Sequence, residues 1–404
     1  MRDGTEMTLC WNLLVAEVTA ARAGSPPNEG ALSRPLSAAG TEGNKLLAKP
    51  QKTFTAEIEL CFYDSLDVAF KASPDGAATR VAWMNLDRFS TQWVTALPSP
   101  SLGWVRGNDV FMEVFATYLA LPSPACAPLV GQPIGKHREL LDAFGAKLTT
   151  LALPGDGWRI RHDALKHLLF REIRGHGVPS TCEVFGLFAR LLRQGTRDDV
   201  AQAPLRKRQG LVPDFLVTLP TGIDTLMELK VVGLGRTWYV RGDTARCRAV
   251  AHRAREILAE YVQKTRRLDG RSMSDPHGSP GPVEQKLASY GRIHALAFGA
   301  FGEASQDVHS LVKDLACGRA ARDWPRLLCR DQDEAKALLA RSLYRSLGLE
   351  AVRAQARLKL AGLSHVGTGV AAAACRRAHS EAFYSRIREA YQLHHSGGAG
   401  RHRQ

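Results

Sequence analysis

The chain has little that would cross-link it, bind zinc or insert it into a membrane. Its eight cysteines are scattered singly over 404 residues, and no Cys-x-x-Cys pair occurs. This spacing indicates neither a zinc knuckle nor a disulfide framework, and it fits a reducing compartment. No apolar run approaches the length of a membrane span, and the first residues lack the basic, apolar, small-residue order of a signal peptide. We therefore expect an intracellular protein.

Acidic residues are also scarce relative to basic ones. The chain holds 54 Lys and Arg against 40 Asp and Glu, which gives a formal net charge of +14. A basic surplus of this size favours a polyanionic partner, most simply nucleic acid, and the alternative is a solvated basic surface. The length allows two or three domains with a substantial core.

Composition and hydrophobic periodicity divide the chain into segments. The first is too poor in apolar residues to fold, which predicts a disordered leader or a remnant of upstream sequence. The others predict a small, mostly helical module, a unit of alternating strands and helices, a helical extension and a disordered tail. Their bounds are 1–50 for the leader, 51–153 for the helical module, 154–325 for the mixed unit, 326–396 for the extension and 397–404 for the tail.

Within the mixed unit, the strand and helix patterns predict a small mixed β-sheet with helices on its faces, an α/β fold with helical N-terminal and C-terminal extensions. Asp163 is the predicted cap of a helix over residues 164–174. A long helix is expected over about 245–269 and a third main strand over 293–301. In the preceding module, a helix over 110–119 is expected to begin at a cap formed by Asn108 or Asp109.

A β-hairpin is predicted where two β-prone runs, residues 211–217 and 223–232, flank a short Pro/Gly turn at residues 220–222. If Leu219 faces Ile223, the same register sets Asp214 opposite Glu228.

Lys230 shares the face of Glu228, because side chains two residues apart in a strand point the same way. Two facing carboxylates repel unless a positive charge lies between them, and a divalent metal beside a lysine would supply that charge. Pro213-Asp214, thirteen residues and then Glu-x-Lys form the PD-(D/E)xK pattern of metal-dependent nucleases. Asp214 and Glu228 are the predicted ligands of Mg²⁺ or Mn²⁺, with the Leu229 carbonyl as a third candidate.

The catalytic assignments follow from the chemistry of phosphodiester hydrolysis. The metal lowers the pKa of a bound water and stabilises charge at phosphorus, and Lys230 would orient the water or the phosphate. Glu183, ahead of the hairpin, is a further candidate carboxylate. An ordinary hairpin with surface charges is the alternative interpretation of the same pattern.

Five stretches together resemble the C-terminal part of non-LTR retrotransposon proteins that carry a restriction-like endonuclease. They are Arg161 to Leu165, Arg208 to Asp214, Glu228 to Val232, Gly281 to Leu287 and Phe298 to Ser305. The resemblance implies a restriction-endonuclease-like core and a nuclear enzyme that nicks double-stranded DNA so that a reverse transcriptase can prime on the cut strand. It also implies metal binding by Asp214 and Glu228, catalysis by Lys230, and element RNA as a further candidate partner.

Two departures from that family keep a second hypothesis open. Residues 128–157 occupy the place of the family's zinc knuckle but contain no cysteine and only His137, and no Tyr-x-Asp-Asp-like polymerase motif lies upstream. The chain therefore resembles a detached fragment of an element or a gene derived from one. The alternative to a nuclease is a catalytically inactive nucleic-acid-binding remnant of the same domain.

Basic residues in two places are the candidate DNA contacts. The loop before the hairpin and the long helix after it contribute them, and a solvated basic surface is the alternative at both. The candidates are Arg206, Lys207 and Arg208 in the loop and Arg253, Lys264 and Arg267 on the helix. For His162, His167 and His176 we expect structural roles, because no matched metal-ligand spacing surrounds them.

Overall fold

The structure is a computed structural model that describes residues 88–96, 108–192, 211–219, 222–235, 249–270 and 279–367, together with Val68, Ala72 and Tyr239. Several predictions lie outside these residues: the leader, the basic loop at Arg206 to Arg208, the first two turn residues of the hairpin, and the C-terminal tail. The described part is a mixed α/β fold. No helix in it is both long and apolar enough to cross a membrane.

The helices of the described part are α1 (Arg88–Gln92), α2 (Asn108–Tyr118), α3 (Gly157–Gly175), α4 (Ala249–Leu268), α5 (Pro282–Ala288), α6 (Gln306–Asp323) and α7 (Gln332–Gly362). Its strands are β1 (Pro133–Ile134), β2 (Glu139–Leu140), β3 (Ser180–Cys182), β4 (Phe215–Thr218), β5 (Asp224–Val231) and β6 (His294–Phe298). Strands β1 and β2 pair with each other, and the other four form the main sheet.

The main sheet has the order β3-β4-β5-β6, with β3, β4 and β5 antiparallel and β6 parallel to β5. Its hairpin has the predicted register, since Phe215 pairs with Met227 and the Leu219 N–H donates to the Ile223 carbonyl at 3.2 Å. The connection from β5 to β6 contains α4 and α5, as a parallel pair requires a long crossover. The predicted small mixed sheet flanked by helices is confirmed.

Helices bury both faces of this sheet. On one face, Phe215, Met227 and Phe298 belong to an apolar cluster shared with α1, α3, α6 and α7. On the other face, Leu226 and Ala295 pack with residues of α4 and α5. Successive residues of β5 therefore enter different layers, and β5, in the middle of the sheet, is nearly inaccessible to solvent along most of its length.

Two predicted helix starts are wrong. Helix α3 begins at Gly157, so Asp163 lies inside it, where its carboxylate contacts His162 and Lys166 and caps no helix end. Helix α2 begins at Asn108, so both of its predicted caps lie within its first turn. Asp109 is favourable there because an acidic side chain complements the positive end of the helix dipole.

Helix α7 joins the two largest apolar clusters. Its N-cap is Asp331, whose side chain accepts the Glu334 N–H at 2.8 Å. Leu347 lies in the cluster that covers the sheet, and Leu360 lies in a second cluster with α2 and the segment around Leu148. Helix α7, which lies within the predicted helical extension, therefore docks on the sheet unit. The predicted segment boundaries at residues 153 and 325 stay predictions.

Candidate active site

Three motif residues lie near one another where β4 begins beside β5. Asp214 directly precedes β4, and extending the Phe215 and Met227 pairing by one position sets it opposite Glu228. Lys230 lies two residues further along β5 and its ammonium forms an ion pair with the Glu228 carboxylate. The antiparallel register of the hairpin therefore brings together two acids and a lysine that are separated in sequence.

Both carboxylate oxygens of Glu228 have partners. Lys230 Nζ contacts Oε1, and the Tyr261 hydroxyl of α4 donates a hydrogen bond of 2.7 Å to Oε2. Tyr261 is buried, and this burial, together with the Glu228 charge, raises the pKa of its hydroxyl. The hydroxyl therefore stays protonated and serves as a fixed donor to Glu228.

The Asp214 carboxylate is held by the backbone of β5 and by α3. Its Oδ2 accepts the Leu229 N–H at 2.8 Å and lies 3.5 Å from His162 Nε2. Burial would raise the pKa of Asp214, but the hydrogen bond and charge of His162, with the charge of Lys230, lower it below its usual value. Asp214 is therefore an anion at neutral pH, and no hydrogen bond reaches its Oδ1 from the described residues.

His162 is a site residue that the sequence reasoning missed. Its Nε2 lies 3.1 Å from the Leu229 carbonyl oxygen, and its Nδ1 lies 3.1 Å from Asp163 Oδ1. Burial would lower the pKa of His162, but the contacts with Asp163 and Asp214 raise it to about 9. The available signal was its place in Arg161 to Leu165, one of the stretches that carry the family resemblance.

Glu183 lies beside the site but contacts α3. It follows β3 in the left-handed region, with φ of 53°, and its N–H donates to the Asp214 carbonyl at 2.9 Å. Its carboxylate lies 2.5 Å from Lys166 Nζ, and the same ammonium is 3.2 Å from Asp163 Oδ1. Burial would lower the pKa of Lys166, but these two carboxylates raise it. The catalytic role of Glu183 stays a prediction.

The candidate DNA contacts on α4 differ in their surroundings. Arg253 Nη1 lies 2.6 Å from Glu256 and 2.8 Å from Glu260, so its charge is already paired within the helix. Lys264 and Arg267 are exposed. The Lys264 ammonium lies 5.9 Å from the centre of the Tyr261 ring, which places it near the site.

The residues that fit a metal are Asp214 and Glu228. Among the described residues no ready-made group of three or more His, Cys, Asp or Glu ligands exists. The Leu229 carbonyl, the third predicted ligand, is already near His162. Asp214 is partly buried and Glu228 is buried, and Asp214 Oδ1 is a hard oxygen free of described partners, which suits Mg²⁺ or Mn²⁺. The positive charges of Lys230 and His162 lie beside these acids, where a cation would compete.

Comparison of the chain with protein-family models, with curated proteins and with solved structures finds no match. The contacts of Asp214, Glu228 and Lys230 are therefore the basis on which a function is assigned.

Proposed function

We propose that the chain is a metal-dependent DNA endonuclease of retroelement origin that nicks target DNA by phosphodiester hydrolysis. The observation that carries this proposal is the register of the two middle strands, which sets Asp214 opposite Glu228 when extended by one position, with Lys230 paired to Glu228. A mixed sheet covered by helices on both faces also agrees with a restriction-endonuclease-like core.

Each residue has a role that follows from its contacts. Asp214 and Glu228 would hold Mg²⁺ or Mn²⁺, which when bound supplies an activated water and neutralises charge at phosphorus. Lys230 has the charge and position to orient the attacking water or a phosphate oxygen beside Glu228. Tyr261 fixes Glu228, and the Leu229 N–H and His162 fix Asp214.

Double-stranded DNA is the substrate that the charge distribution favours. The net charge of +14 attracts a polyanion, and exposed Lys264 and Arg267 extend along the helix whose Tyr261 contacts the site. Element RNA is a second polyanion that the same basic surface would attract. A nuclear location follows from a DNA substrate and belongs to the same proposal.

One observation favours a second function, a catalytically inactive nucleic-acid-binding remnant. Both oxygens of Glu228 are engaged by Lys230 and Tyr261, and the described residues offer no third ready ligand. A cation therefore has to displace Lys230 from Glu228 Oε1 before two carboxylates can share it. If that exchange is too costly, the protein binds DNA without cutting it.

Nicking of supercoiled plasmid with Mg²⁺ or Mn²⁺ separates the two functions. We expect nicking by wild type and a loss on the order of 10²-fold or more in Asp214→Ala and Lys230→Ala. Asp224→Ala is the matched control, because Asp224 is an exposed carboxylate on the same hairpin, bonded to the Thr218 hydroxyl at 2.7 Å. Binding that weakens with salt but never leads to nicking would establish the remnant instead.

A further inference from the structure

A series of five side chains with alternating charge runs from Glu183 across α3 to Asp214. Neighbouring charged groups in this series lie 2.5 to 3.5 Å apart. The separations are 2.5 Å from Glu183 to Lys166, 3.2 Å from Lys166 to Asp163, 3.1 Å from Asp163 to His162 and 3.5 Å from His162 to Asp214. We call these five residues the α3 charge series.

Lys166 is the centre of the α3 charge series and the least accessible of its residues, with 4% of its surface exposed. Burying an ammonium is costly unless it is paired, and Lys166 has a carboxylate on each side. Removing it would leave Asp163 and Glu183 without the cation between them. Its neighbours would then have to rearrange or take up water.

The two ends of the series are also joined through the backbone. The Glu183 N–H donates to the Asp214 carbonyl at 2.9 Å, so Glu183 is fixed to the residue that the other end of the series contacts. Glu183 has a φ of 53°, which is costly for a residue other than glycine and is maintained only by its surroundings. The four side-chain contacts and this backbone hydrogen bond therefore form a closed ring of interactions that includes Asp214 and Glu183.

We propose that Lys166 is a positioning residue that holds Asp163 and Glu183 so that His162 directs the Asp214 carboxylate. This inference rests on the proposed function, because it assigns a purpose to the orientation of a metal-binding Asp214. Glu183 then serves as the anchor of Lys166. The carboxylate of Asp214 reaches the Leu229 N–H only while the α3 charge series is complete.

The test compares two buried lysines. Lys166→Met removes the centre of the α3 charge series and keeps most of the side-chain volume. Lys359→Met is the matched control, since Lys359 is 1% exposed and pairs with buried Glu113 at 3.1 Å, in the apolar cluster of α2 rather than at the site. Both changes remove a buried ammonium that forms an ion pair, so an effect seen only in Lys166→Met comes from its position beside the site.

The first readout needs neither metal nor activity. The Leu229 amide proton is bonded to an anionic carboxylate at 2.8 Å, which predicts a downfield NMR shift. Labelling glutamate carbonyl carbon and leucine nitrogen selects three Glu-Leu pairs in the chain, and Asp214→Ala identifies the one that responds. We expect Lys166→Met to move this signal upfield and Lys359→Met to leave it in place. An unchanged signal in folded Lys166→Met would overturn the proposal.

The second readout is the metal concentration that gives half-maximal nicking. Loss of a group that orients a metal ligand typically costs about 10- to 100-fold in metal affinity or activity, so Lys166→Met should raise this concentration by that factor. Lys166→Arg, which keeps the charge, should recover part of the loss, and Lys359→Met should match wild type. A Lys166→Met protein with wild-type metal dependence would contradict the proposal.

The two readouts keep the failure of each proposal distinct. If wild type never nicks DNA, the nuclease function fails, and the Leu229 signal still decides whether Lys166 positions Asp214. If Lys166→Met does not fold, Asp163→Asn replaces it, because this change keeps the volume and leaves the contact between Lys166 and Glu183 in place. Asp163→Asn is expected to shift the Leu229 signal in the same direction, and no shift would overturn the proposal.

Discussion

The Tyr261 hydroxyl shows how one buried group stabilises the fold and the site together. It donates to Glu228 Oε2 at 2.7 Å from within the α4 layer. Tyr261→Phe keeps the ring and removes the donor, which leaves a buried carboxylate oxygen without that bond. We expect the free energy of unfolding to fall by about 1.5–3 kcal/mol, as for a hydrogen bond to a charged group, measured by urea denaturation.

Tyr290→Phe is the control for that change. Tyr290 is a buried tyrosine of the same apolar cluster, its ring contacts the Lys286 ammonium, and no hydrogen bond from a described residue reaches its hydroxyl. Its substitution should change the unfolding free energy by less than about 0.5 kcal/mol. Equal losses in the two variants would show that the bond to Glu228 adds nothing to stability.

Side chains of the hairpin were predictable from sequence, and their partners on helices were not. Asp214 and Glu228 face each other because a short turn and a period of two fix the register. His162 and Lys166 reach the same place only through the packing of α3 against β5, which no local pattern specifies. A helix residue that contacts a strand 67 positions later in the chain leaves no periodic signal near itself.

At the scale of elements, α4 carries both an ion-paired basic residue and exposed basic residues. Arg253 is engaged by Glu256 and Glu260, whereas Lys264 and Arg267 are exposed. We expect Lys264→Ala and Arg267→Ala each to weaken DNA binding uniformly across sequences. Each should also reduce the slope of log K against log salt by about 1 if its side chain contacts a phosphate.

Arg253→Ala is the comparison within the same helix. Arg253→Ala removes a cation and also leaves the carboxylates of Glu256 and Glu260 without it. Any loss of DNA affinity then reflects the more negative local charge more than a lost phosphate contact. The salt slope, measured by fluorescence anisotropy on one duplex, should stay within about 0.3 of wild type, well below the change expected for a lost phosphate contact. If only Arg253→Ala changed the salt slope, the phosphate contact would lie at Arg253, and the prediction for Lys264 and Arg267 would be wrong.

The elements themselves were predictable to different degrees for physical reasons. The apolar spacing of α4 and the β-prone run of β6 gave both elements within a few residues, because α4 buries one continuous face and β6 is buried on both faces. The start of α3 was wrong because an Asp followed three residues later by Lys can also form an ion pair inside a helix. Asp163 takes that second role, so the cap preference had no effect.

At the scale of the whole described molecule, α7 links the two largest apolar clusters, so we expect them not to unfold independently. One helix of 31 residues carries Leu347 into the cluster that covers the sheet and Leu360 into the cluster around α2. A boundary at residue 153 predicts two separate units, whereas a shared central helix predicts that the clusters unfold together. Leu347→Ala and Leu360→Ala test this, because each removes buried volume from one cluster only.

We expect calorimetry to show the two clusters melting in a single transition, which both variants lower. Each truncation should cost about 2–5 kcal/mol, since a buried leucine loses transfer free energy and leaves a cavity. Because unfolding of α7 at one end of this core weakens packing at the other, the melting temperature should fall by a similar amount in both variants. Two transitions, each moved by only one variant, would restore the boundary at residue 153 and make α7 a linker between domains.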